Sequence, residues 1–106
     1  MNHMRHQKFE ITDQRKSLEE ILEDFDAWML SESGWWYLLY QEDNTGDEGR
    51  AIVDKFVKDL SEIFPDKSFK RTPIREIEDG QYATFDLIYA DKSGGEPSIR
   101  TFETGD

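Results

Sequence analysis

The chain has 106 residues, enough for one domain around one hydrophobic core and too few for a second. Its formal charge of −11, from 24 acidic against 13 basic side chains, opposes direct binding to nucleic acid or anionic lipid, because both are gripped by Lys and Arg. The absence of cysteine excludes disulfides and thiolate metal sites, while seven Phe, three Trp and four Tyr supply large units of buried area.

Residues 1–7 are polar and read as a mobile tail ahead of a single domain over residues 8–106. Without the apolar run of a signal peptide or a membrane span, the expected location is cytoplasmic, reached by elimination. Lys8, Phe9, Glu10, Ile11 and Thr12 alternate in polarity, the pattern of a short edge strand. Ser17 and Glu20 then have capping-box spacing. Leu18, Ile21, Leu22, Phe25, Trp28 and Met29 follow on one helical face. The stretch from Ser31 to Gly34 ends this helix, with Gly34 available for a left-handed turn.

Trp35, Trp36, Tyr37, Leu38, Leu39 and Tyr40 form a short aromatic run between turn formers, which predicts a strand with both faces wanting cover. Residues 41–49 read as a polar loop, where Thr45 with Glu48, or Asp47, would cap the next helix. That helix carries the stripe Ile52, Val53, Phe56, Val57, Leu60, Ile63 and Phe64, and Pro65 stops it. Its outer face mixes signs, with Arg50 and Asp54, Lys55 and Asp59, and Lys58 and Glu62 at i,i+4.

Three strands are predicted beyond it. Residues 68–77 are interrupted by Pro73, as on a sheet edge or at a bulge. Asp79 and Gly80 turn the chain into residues 82–90, and a loop with Gly94 and Gly95 returns it into residues 98–103. The expected fold class is α+β, a two-layer sandwich of order (β)αβαβββ. Two helices pack on one face of a mainly antiparallel, four- to five-stranded sheet, and one parallel pair is allowed around residues 35–77.

The candidate site residues are carboxylates and aromatics. Glu19, Glu20, Glu23, Asp24 and Asp26 lie on the outward side of the first helix with no cation among them, and Glu42, Asp43, Asp47 and Glu48 extend the charge into the next loop. Like charges at i,i+4 cost a few tenths of a kcal/mol each, so such a stripe is either a tolerated solvated face or a docking face for a basic partner. Trp35, Trp36, Tyr37 and Tyr40 would add the aromatic contacts that dominate interfaces. Lys67, Lys70, Arg71 and Arg75 are the basic cluster, too few for a nucleic-acid groove and expected to pair with acids.

Catalytic signals are poor. The two histidines, His3 and His6, fall in the expected tail, and no nucleophile, phosphate-binding or dinucleotide motif occurs. Neither a cofactor nor a metal site is expected. The acidic loop has no EF-hand register, and His3 in third place is a weak Cu²⁺ or Ni²⁺ chelator.

The sequence therefore points to a non-enzymatic protein-binding module, an inhibitor or regulator that docks on a basic macromolecular partner and imitates nucleic-acid charge. Toxin-neutralising immunity proteins and phage-encoded inhibitors share this size and charge, a likeness of class rather than of motif. The alternative is a structural or assembly subunit that forms a homodimer or joins a complex through an exposed aromatic sheet face. A carboxylate enzyme using Mg²⁺ is the third reading.

Overall fold

A computed structural model of the chain describes residues 6–39, 47–78 and 80–105. Helix α1 (Leu18–Leu30) opens with the expected capping box. Ser17 N–H donates to Glu20 Oε1 at 2.9 Å and Glu20 N–H to Ser17 Oγ at 3.2 Å. Its buried stripe is Leu18, Ile21, Leu22, Phe25 and Met29.

Ser31 ends α1 and starts the next helix in the same residue. Its extended backbone (ψ 168°) breaks the first ladder while its N–H still donates to the Trp28 carbonyl. Its hydroxyl donates to that carbonyl at 2.5 Å and accepts from Gly34 N–H at 3.3 Å. Residues 35–38, expected in a strand, therefore lie in α2 (Glu32–Leu38).

The strand reading relied on aromatic β propensity, which tertiary context readily overrides. A serine cap, an acid in the first turn and burial of Gly34 and Tyr37 three residues apart favour the helix instead. Gly34 is helical rather than left-handed, and its lack of a β-carbon lets α2 cross the end of α1.

Helix α3 (Asp47–Ile63) buries Gly49, Ile52, Val53, Phe56 and Leu60, and Pro65 lies just beyond its end. The strands follow as β1 (Lys67–Arg71), β2 (Arg75–Ile77), β3 (Tyr82–Asp91) and β4 (Ser98–Glu103). β3 is central: β4 pairs along one side of it, and β1 and β2 share the other, all antiparallel. Between the pairs Arg71↔Leu87 and Arg75↔Thr84 the outer strand holds one extra residue. Pro73 thus marks both an edge and a bulge. Gly80, Gly94 and Gly95 take positive φ in the two turns, where a β-carbon would be strained.

The element order is three helices and then four strands, which corrects the interleaved (β)αβαβββ order and removes the parallel pair. α1 packs over β4 and α3 over β1. Phe25, Phe56, Phe85, Leu87 and Phe102 meet in the core between them.

Residues 8–12 form no strand either. The segment from His6 runs as an extended strap along the helices. Phe9 sits edge-on to Phe25 (4.9 Å) and Phe56 (5.4 Å), between α1 and α3. A half-buried Phe9 and the Trp28 Nε1–H bond to Gln7 O at 2.7 Å hold it there, so the alternation came from a chain half-sunk between helices.

Candidate functional site

The five acids of α1 do not share one face. At about 100° per residue, Glu19, Glu23, Asp26 and Leu30 align as i, i+4, i+7 and i+11 on one flank, and Glu20 and Asp24 fall on the other. The second pair is engaged at home. Glu20 completes the capping box, and Asp24 lies 2.7 Å from Lys16 Nζ. The hydrogen bond from Lys16 to Asp24 raises the lysine pKa above its ordinary value.

Glu19 and Glu23 are exposed and Asp26 is half-buried, and among the described residues none of the three has an ion pair or hydrogen bond. Leu30 continues their row and is 56% exposed. The strap follows the opposite flank: Trp28 Nε1–H donates to Gln7 O, and Ile21 and Asp24 line a concavity with Phe9, Glu10 and Ile11. The three carboxylates therefore lie on the flank away from the strap, with Glu19 within electrostatic reach of Lys67 on β1.

The aromatics are dispersed by their helix. Tyr37 is buried, donates its hydroxyl to His6 O at 3.2 Å and stacks near Trp28. Trp36 is half-buried, stacked on His6 at 4.9 Å. Trp35 turns to a separate concavity with Leu30, Ser31, Glu32 and Gly105. No aromatic sheet face is formed by these residues, which removes the surface on which the oligomerisation reading rested.

Asp47 pairs with Arg50 at 2.6 Å, and Glu48 is exposed beside Lys8, Glu10 and Lys55. Tyr40, Glu42, Asp43, Thr45, His3 and Asp79 lie outside the described residues.

Of the basic cluster, Lys67 and Arg71 are paired, with Asp91 at 2.5 Å and Asp54 at 2.6 Å. Arg50 and Arg71 line a groove of about 710 Å³ with Leu38, Asp54, Pro73, Ile74 and Glu76, where two cations face two carboxylates and the charges cancel. This groove joins α3 to the bulge and has no signal in the sequence. Among the described residues every buried side-chain polar atom has a hydrogen-bond partner, and no three His, Asp or Glu side chains gather as metal ligands. No described helix is long and apolar enough to cross a membrane.

Compared with protein-family models, with curated proteins and with solved structures, the chain matches none.

Proposed function

We propose that the protein is a binding module whose α1 flank docks on a basic surface of a macromolecular partner and, by covering cations that a polyanion would use, inhibits or regulates it. The observation that carries this reading is the row Glu19, Glu23 and Asp26: three carboxylates with no hydrogen bond or ion pair among the described residues, Glu19 having only the longer-range attraction of Lys67, next to two that are already engaged. In a chain of charge −11 such a row attracts cations at long range and meets them at short range. Leu30, at the end of the row, adds an apolar contact.

The test is affinity capture from a lysate of the source cell with three baits: the wild type, the variant E19K/E23K/D26K, and a control E62K/E76K/E96K with the same change of charge elsewhere. The expected result is one basic partner held by the wild type and the control and lost by the α1 variant. Equal capture by all three would reduce the row to a solvated face.

A further inference from the structure

The two edges of the sheet are built differently. The β1–β2 edge carries the devices that discourage strand addition: a bulge, Pro73, and the cations Lys67, Lys70, Arg71 and Arg75. Its irregular stretch is also tied inward, since Thr72 N–H donates to Asp86 O at 3.0 Å and Asp86 N–H to Thr72 Oγ1 at 2.8 Å.

The β4 edge has no bulge, no proline within the strand (Pro97 directly precedes it) and one cation, Arg100. Its pairing with β3 runs unbroken from Thr84↔Glu103 to Tyr89↔Ser98. Thr104 N–H donates to Ala83 O, and Phe102 O accepts from Thr84 Oγ1, so the even-numbered residues turn their backbone groups toward β3. The N–H and C=O of Ile99, Thr101 and Glu103 consequently point away from the sheet, and no described strand pairs with them.

The surroundings of this edge select an occupant. Above it, on the helix side, lies the α1 flank with Glu23 and Asp26, because α1 packs over β4 and the strap takes its other flank, while Glu19 at the helix start is also within electrostatic reach of Lys67. On the open side of the sheet Ile99, 65% exposed, pairs with Ile88. A strand laid beside β4 therefore has the α1 carboxylates over one face, where β4 itself presents Arg100 with its guanidinium 5.6 Å from the Phe102 ring centre, and the row Ile99, Thr101 and Glu103 beside the other.

From this geometry we infer that the β4 edge binds an extended segment of the partner by β-strand addition, the segment alternating Lys or Arg toward α1 with apolar residues toward Ile99. The inference rests on the docking reading above and names the form the partner takes. A second copy of this chain fits less well, because it would set one carboxylate row beside another and offer Arg100 as the one cation of its β4.

The probe is a short fluorescent peptide alternating lysine with valine, compared with a peptide of the same composition whose lysines are grouped in a block. Both are titrated into the full chain. The alternating peptide is expected to bind about tenfold more tightly, and T101P, which removes the central outward N–H, to weaken it about tenfold. Amide exchange at Ile99, Thr101 and Glu103 should slow on binding. That readout on the wild type decides the matter if T101P fails to fold.

Absence of binding overturns the inference. So does binding that E19K/E23K weakens while the three amides stay unprotected and both peptides bind alike. That second outcome leaves the acidic docking surface standing and removes only the strand-addition step.

Discussion

A β-carbon on Gly34 would sit 2.3 Å from the Trp28 carbonyl oxygen and 2.7 Å from the Met29 Cα, both backbone atoms that cannot rotate aside. Gly34→Ala must therefore push α2 off the end of α1, and it is expected to cost about 1–3 kcal/mol, read as a lower urea midpoint with an unchanged slope. Phe25, fully buried, stacks on Phe56 at 4.0 Å and meets Phe102 and Phe9 edge-on. Titration also acts at single residues. Hydrogen bonds to Asp24, Asp59 and Asp91 raise the pKa values of Lys16, Lys55 and Lys67, and the Arg15 side chain lowers that of Asp13. The lysine contributions are complete at neutral pH and are lost as pH climbs past the ordinary lysine value through the raised one. The Asp13 contribution is lost as pH falls from the ordinary carboxylate value through the lowered one. These groups are partly or fully exposed, so both changes are expected to be small and to shrink in salt, as urea melts across the two pH windows would show.

At the scale of elements, the strap and the caps matter most. Phe9 is the strap's anchor between α1 and α3, in contact with Phe25, Trp28 and Phe56. Phe9→Ala is expected to cost about 1–3 kcal/mol, less than a fully buried Phe because Phe9 is half-exposed, and to shift tryptophan emission to the red, because Trp28 and Trp36 both lie under strap residues. Were the strap a loose tail, neither signal would move. Ser17→Ala removes one arm of the capping box and should cost about 1 kcal/mol, with a matching loss of thermal stability. The α1 capping box was legible because it depends on residues three apart. The strap was not, since its partners Trp28, Tyr37 and Ser33 are 21 to 31 residues away in the chain.

Over the whole molecule, 24 acids against 13 bases leave a self-repulsion that local ion pairs do not cancel. Added salt screens this repulsion more than it weakens the few surface pairs. The melting temperature is therefore expected to rise by a few degrees between about 0.01 and 0.15 M salt, as differential scanning calorimetry would show. A fall would mean that the surface pairs outweigh the net charge. The same excess shapes the candidate site. Its carboxylates at positions 19, 23 and 26 already stood at helical spacing in the sequence, but their separation from Glu20 and Asp24 depended on which flank the strap covers.

The chain's own order of residues determined the α+β class, helices α1 and α3 with their stops, the Pro73 bulge and the long central strand, because each rests on periodicity, caps or turn chemistry within a few neighbours. Only the tertiary structure decided that residues 32–38 wind as a helix, that the segment from His6 is pinned, and that no described strand pairs with the outer edge of β4. An aromatic run suits a helix or a strand alike, and packing against Trp28, Met29 and the strap resolves which one forms. A strand's edge, likewise, is open or closed according to what the rest of the chain places beside it.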